Sequence, residues 1–161
     1  MSSPITLIAA CTSSRVIGRD GRLPFDIPED KAWFLAQTTG RTVVLGRLCF
    51  HAWPGAMTGG RQPVVISHDA SLAAAPVRVA DSVPAALAIA RTLPGEIMVC
   101  GGQRIYEETL PLANRLLLTL VHAEIPGDRF FPDWRGYGWR ETTRRDSHDA
   151  NYRYTFLTLD R

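Results

Sequence analysis

Twelve residues near the start of the chain, LPFDIPEDKAWF (Leu23 to Phe34), hold three carboxylates and three aromatic side chains. A carboxylate walled by apolar groups loses solvation, and its pKa rises toward the range where it can help deliver a proton near neutrality. Asp30 and Phe34 lie one helical turn apart, so they share a face if the segment is helical. Acids in a helix's first turn are favoured anyway by its positive end, so the residues alone leave open which of Asp26, Glu29 and Asp30 does chemistry, if any. A second chemistry is written in two strand-to-helix turns, VVLGRLCF (Val43 to Phe50) and MVCGGQRIYEE (Met98 to Glu108). Unpaired N–H groups at a helix start suit phosphate, and glycines there let the backbone approach closely. Gln103 breaks the GxGxxG spacing, so the standard dinucleotide fingerprint is absent. Two such turns in one small chain point to an extended ligand with two phosphates.

These groups need a frame, and the chain supplies one. Short β-branched runs recur, each closed by turn residues: ITLIAAC (Ile5 to Cys11), TVVLG (Thr42 to Gly46), PVVIS (Pro63 to Ser67), VRVA (Val77 to Ala80) and EIMVCGG (Glu96 to Gly102). Runs this apolar predict strands covered on both faces, as in a parallel sheet. Between them the spacing predicts helices over Pro28 to Thr39, Arg47 to Trp53, Ser82 to Leu93 and Gln103 to Leu110, with proline and glycine as punctuation. After RLLLTLVHAE (Arg115 to Glu124), WRETTRRD (Trp139 to Asp146) and NYRYTFLTLD (Asn151 to Asp160) read as the strands of a hairpin. The expected architecture is α/β: one domain over residues 1–161, with a mostly parallel central sheet, helices on both faces and a C-terminal antiparallel β-hairpin. Ligands of such sheets sit beyond the carboxyl ends of the strands, where the acidic stretch and both glycine turns should meet. The loops Thr12 to Ile27 and Pro54 to Gln62 are long for a compact domain, and such loops are more often functional than idle.

Composition removes several function classes. With 161 residues, 45% of them hydrophobic, the chain can bury one substantial core. A formal charge of +2, with scattered arginines and the single lysine Lys31, gives no basic face for nucleic acid. No run approaches the roughly 20 apolar residues that span a bilayer, and MSSPITLIAAC lacks the pattern of a signal peptide. Cys11, Cys49 and Cys100 are far apart and apolar in context, and His51, His122 and His148 show no ligand spacing. Neither a disulfide framework nor a metal site is expected. The chain reads as a cytoplasmic monomer acting on a small molecule.

In order, IAAC, RVIGRDGRLPF, PEDKAWF, VVLGR, PVVIS, EIMVCGGQRIYEETLP, LLLTLVHAEIPGDRFFP and the closing hairpin resemble the dihydrofolate reductase family along almost the whole chain. The resemblance implies reduction of 7,8-dihydrofolate to 5,6,7,8-tetrahydrofolate with NADPH, by hydride transfer to pterin C6 and protonation of N5. It implies that Asp30 bonds the pterin's 2-amino group and N3, that Thr119 braces Asp30, and that Phe34 packs on the pterin or its benzoyl tail. Ile8, Ala10, Lys31, Cys100 and Tyr106 fall at the substrate pocket, and Arg61 matches the arginine that grips the glutamate carboxylate. For NADPH, Ala10, Ile17, Gly18 and Tyr106 fall at the nicotinamide. Arg47, Ser67 and His68 fall at the 2′-phosphate, where a cation and a hydroxyl distinguish NADPH from NADH. Gly46, Leu48, Cys49, Cys100, Gly101, Gly102, Gln103, Arg104 and Ile105 complete the cofactor side. Leu23 and Phe25 belong to the loop that closes over the nicotinamide, and Gly127-Asp128 matches the loop that holds it closed.

Three positions depart from the family pattern. Phe25 stands where tryptophan is usual, Asp26 where a neutral residue is more usual, and Cys49 where a threonine hydroxyl meets phosphate. They leave two other readings open: a reductase of a related substrate such as dihydromethanopterin or the pyrimidine intermediate of riboflavin synthesis, or a homologue that binds NADPH and pterin with little catalysis.

Overall fold

The computed structural model describes residues 4–161. Its eight-stranded sheet runs in the order β5-β4-β3-β6-β1-β7-β10-β9. The strands are β1 (Ile5–Thr12), β3 (Thr42–Gly46), β4 (Gln62–Ile66), β5 (Arg78–Ala80), β6 (Ile97–Val99), β7 (Arg115–Val121), β9 (Arg140–His148) and β10 (Arg153–Asp160). The first six pair in parallel, and only the last two run antiparallel, β10 against β7 and β9 against β10. That is the mostly parallel sheet with a terminal hairpin expected from the apolar runs.

Alternate strand residues enter two cores, which is why the runs are apolar throughout. Leu7, Val44, Val64 and Val99 pack toward α3 (Val83–Ala90) and α4 (Gln103–Thr109), in a core with Ala86, Leu87, Ile105 and Tyr106. Their neighbours Ile8, Val43, Val65 and Met98 face the other way. There Trp33 and Phe34 of α1 (Pro28–Thr38) and Cys49 and Phe50 of α2 (Arg47–Ala52) pack against them. Helices therefore cover both faces. Proline at the start of α1 and α3 replaces an N–H that would have no partner, and Ser82 caps α3 by accepting the Ala85 N–H at 3.2 Å.

Two short strands lie outside the sequence expectations. Val16–Gly18 (β2) and Arg129–Phe130 (β8) form a separate two-stranded ribbon. Strands of three and two residues carry too little alternation to be read as strands. The observed helices and strands otherwise end within a few residues of the expected bounds; α3, for example, stops at Ala90 rather than Leu93.

Candidate active site

Helix α1 buries only Thr38, yet its inward stripe of Asp30, Trp33, Phe34 and Gln37 is half-buried. A helix whose inner face stays partly open lines a cleft rather than a core. The opposite wall is β1, where Ala9 and Ala10 interrupt an otherwise buried strand and leave room for a ligand. Ala10 pairs in register with Thr119 of β7, and the Thr119 hydroxyl donates to Asp30 Oδ1 at 2.6 Å. Burial raises the Asp30 pKa; the Thr119 bond opposes the rise, and the charge of Glu29 adds to it. Sequence reasoning placed Asp30, Ala10 and Thr119 in one pocket, and the fold brings them together.

Further along the cleft, the Phe34 and Trp53 rings meet edge-on with centroids 4.7 Å apart. The Arg61 guanidinium lies 5.2 Å from the Trp53 ring centroid. Trp53 is absent from the sequence-based site; its signal was an aromatic residue directly before the Pro54-Gly55 turn of a long loop. Arg61 is only 5% exposed. Nε donates to Thr38 Oγ1 at 2.9 Å, Nη1 to the carbonyls of Gly55 and Thr58, and Nη2 to the Leu35 carbonyl and Thr39 Oγ1. This cation is part of the wall joining the end of α1 to the Pro54–Met57 turn. Lys31, by contrast, is exposed and pairs with Asp26 at 2.7 Å on the rim.

The other bank is made of backbone turns. The Gly46 N–H donates to the Gly101 carbonyl at 2.9 Å and the Cys100 N–H to the Val44 carbonyl at 2.8 Å, so the ends of β3 and β6 are locked side by side. Gly101 adopts φ +120, and a Cβ there would lie 3.2 Å from Cys49 Sγ and 3.4 Å from the Tyr106 hydroxyl. The position therefore takes glycine on both conformational and steric grounds. Tyr106 is buried and donates to the Ile8 carbonyl at 2.6 Å, tying α4 to β1. Ile105 is buried beneath the Gly46 turn, while Arg47, Leu48, His68 and Arg104 are exposed around it and Ser67 is half-buried. Gln103 accepts the Phe130 N–H at 2.9 Å, which links the glycine turn to β8. Burial pushes the thiols of Cys49 and Cys100 up, so both sit in the cleft as neutral groups.

The loop between β1 and α1 is fastened at several points. The Asp128 N–H donates to the Gly18 carbonyl at 3.0 Å and Asp128 Oδ2 accepts the Asp20 N–H at 3.3 Å. Arg15 donates to the Phe131 carbonyl at 2.8 Å. Ile17 is half-buried in this ribbon, and Leu23, at the loop's exposed end, is 53% accessible. Phe25 turns inward and meets Tyr152 edge-on at 6.4 Å. Among the described residues, no cluster of side chains has the make-up of a metal site, and no helix is long and apolar enough to cross a membrane.

The class is that of open α/β sheets with a cleft beyond their strand ends, here with a half-buried carboxylate at one end and glycine turns at the other. The family is equally clear. The sequence model of dihydrofolate reductase matches residues 4–161. A type 3 dihydrofolate reductase of Salmonella typhimurium is 40% identical over 98% of both chains. The dihydrofolate reductase of Neisseria meningitidis serogroup B is 39% identical over 95% of both. A dihydrofolate reductase from Enterococcus faecalis, solved in complex with NADP(H) and RAB-propyl, superposes with a TM-score of 0.87 at 28% identity, covering 98% of this chain and 96% of that one. The chain belongs to the dihydrofolate reductase family.

Proposed function

We propose that the protein reduces 7,8-dihydrofolate to 5,6,7,8-tetrahydrofolate with NADPH, and that Asp30 is its one ionisable group at the pterin. The observation that carries this reading is the Asp30–Thr119 pair, a half-buried carboxylate held at 2.6 Å against an otherwise apolar strand wall. Bound NADPH supplies the hydride that passes to pterin C6. The residues do the rest. Asp30 accepts hydrogen bonds from the pterin's 2-amino group and N3, which fixes the ring's orientation and pushes electron density into the ring, so that N5 takes a proton from water. Phe34 and Trp53 flank the benzoyl tail. Arg61 meets the glutamate carboxylate by exchanging its longest bond, 3.3 Å to the Thr39 hydroxyl, for a charge-assisted one.

The glycine turns fit an extended dinucleotide. Gly46, Gly101 and Gly102 let backbone N–H groups approach the pyrophosphate, beside the neutral thiol of Cys49 and with Leu48 and Arg104 at the rim. Arg47, exposed and without an ion pair among the described residues, faces the 2′-phosphate together with Ser67 and His68. The ribbon of β2 and β8 holds Ile17 and Gly18 at the nicotinamide and lets Leu23 swing over it. The reading includes a monomer, because the outermost strand β9 carries Arg140, Glu141, Arg144 and Arg145 along its exposed length, and such charges discourage edge pairing.

The test follows NADPH absorbance with dihydrofolate, and in parallel with dihydromethanopterin and with NADH. Turnover should require dihydrofolate and NADPH. No oxidation of NADPH at high enzyme concentration would end this reading.

A further inference from the structure

Glu29 touches none of the ligand positions above, yet its carboxylate is held by three different side chains. Ser147 Oγ donates to Oε1 at 2.6 Å, Tyr154 to the same oxygen at 2.7 Å, and Arg145 Nη1 to Oε2 at 2.9 Å. Ser147 and Arg145 belong to β9 and Tyr154 to β10, so the acid bridges both strands of the terminal hairpin. The register makes the contact more specific. Ser147 is the cross-strand partner of Tyr154, and Arg145 that of Phe156. Arg145 also lies 4.3 Å from the centroid of the Phe156 ring. Phe156 in turn pairs on its other side with Thr119, the residue bonded to Asp30. A closed circuit results: Glu29 to the hairpin, the hairpin to Thr119, Thr119 to Asp30, and the peptide bond back to Glu29.

Ile27 offers the helix no side-chain cap, so the first turn of α1 is fastened by Glu29 to the hairpin and by Asp30 to Thr119. We propose that Glu29 is a positioning residue for the reduction: by binding the first turn of α1 to the terminal hairpin it sets where the Asp30 carboxylate stands against Thr119 and the substrate ring. The inference rests on the reading of Asp30 as the group that meets the pterin.

The same arrangement carries a charge effect. Bonds from Ser147, Arg145 and Tyr154 hold the Glu29 pKa down at about 2, so it stays anionic at every working pH. That fixed charge disfavours the ionised form of Asp30. The groups facing the pair are Thr119 from β7, Arg145 and Ser147 from β9, and Tyr154 from β10, with Asp26, His148 and Asp149 lining the hollow outside Glu29 and Lys31 neutralising Asp26. Among these, Arg145 is the counter-ion that touches Glu29 directly.

Three variants decide the matter, each assayed for dihydrofolate reduction across pH and for NADPH affinity by fluorescence. In Glu29→Ala the circuit opens, and kcat/KM for dihydrofolate should fall about tenfold, a misplacement of well under the ångström that costs a hundredfold. NADPH affinity should stay within about twofold, because no cofactor turn is touched. In Glu29→Gln the amide oxygen still accepts from Ser147 and Tyr154, so most of the rate at low pH returns. The lost charge should move the alkaline limb of the profile to lower pH by about half a unit, the size of a screened interaction at this range. Asp30→Asn should move that limb much further to lower pH, as its rate comes to depend on substrate that arrives protonated. An unchanged rate in Glu29→Ala, or rate and NADPH affinity falling together, overturns the positioning role while the Asp30 reading stands. A limb that does not move in Glu29→Gln overturns the charge effect. Full neutral-pH activity in Asp30→Asn overturns both the Asp30 reading and the role of Glu29 that depends on it.

Discussion

The two banks of the cleft are built by opposite means. On the proposed substrate bank the side chains are already committed: Asp30 to Thr119, Arg61 to five acceptors, and Phe34 edge-on to Trp53. On the cofactor bank the shape comes from backbone turns locked between Gly46 and Gly101, while the cations Arg47 and Arg104 stand in solvent. On the proposed reading, the difference follows from what each bank recognises. A neutral heterocycle offers little charge, so the protein must hold a desolvated carboxylate in place beforehand, at the cost of burying it. Phosphates bring their own charge, and turn N–H groups with exposed cations suffice to meet it.

If that contrast is right, variants on the substrate bank should hurt more than variants on the cofactor bank. The largest effect belongs to Asp30→Asn, which should slow dihydrofolate reduction at pH 7 by about a hundredfold or more, the usual worth of a proton-handling group. NADPH binding should be unaffected, and the deficit should shrink at acid pH, where the substrate arrives protonated. An unchanged rate at neutral pH would take Asp30 out of the mechanism. Arg61→Ala comes next and should act twice. Its loss removes five guanidinium hydrogen bonds, although the Leu35, Gly55 and Thr58 carbonyls keep backbone N–H donors, and should lower unfolding free energy by about 2 kcal/mol. It also removes the partner of the substrate carboxylate, raising KM for dihydrofolate about thirtyfold while a substrate without the glutamate tail loses little. A destabilised variant with an unchanged KM would make Arg61 purely structural.

The banks also differ in how far the sequence alone reveals them. The parallel strands were legible because burial on both faces leaves nearly unbroken apolar runs, and the glycine turns because glycine before a helix is a local signal. Asp30 was legible through the resemblance to the family, and helical spacing added that Phe34 shares its face. Glu29 was not: its partners Arg145, Ser147 and Tyr154 lie 116 to 125 residues away, and in sequence it is an ordinary first-turn acid. Arg61 was legible as a cation but not as a buried one, because its five acceptors are mostly backbone carbonyls, which every sequence possesses. The ribbon of Val16–Gly18 with Arg129–Phe130 escaped notice for want of length, though the Gly127-Asp128 contact that accompanies it did not.

On the cofactor bank, Arg47→Ala should weaken NADPH about tenfold, one exposed charge-assisted contact, and leave NADH almost untouched. Thermal stability should not change, since Arg47 lies on the surface outside any ion pair among the described residues. Equal losses for the two cofactors would mean that Arg47 does not read the 2′-phosphate. The contrast between the banks would then have to rest on Ser67 and His68.

The smallest effect separates two acids joined by one peptide bond. Burial raises the pKa of Asp30 above its unfolded value, so the native state holds a proton that the unfolded chain has released. Its contribution to stability is therefore lost as pH rises through the ordinary aspartate range toward the folded pKa. Asp30→Asn should unfold at a higher temperature than the natural chain at pH 7, and the gap should close as pH falls. Glu29 works in the other sense. Its pKa drops from 4.5 to about 2 on folding, so its contribution is present above pH 4.5 and is lost as pH falls toward 2. Glu29→Gln should be less stable than the natural chain at pH 7 and should converge with it in acid. Being partly exposed, Glu29 should contribute the smaller part. Melting curves of both variants between pH 2 and pH 8 check the signs. Two gaps of the same sign at pH 7 would show that neighbouring carboxylates on α1 share one environment, contrary to the buried and hairpin-bound positions seen here.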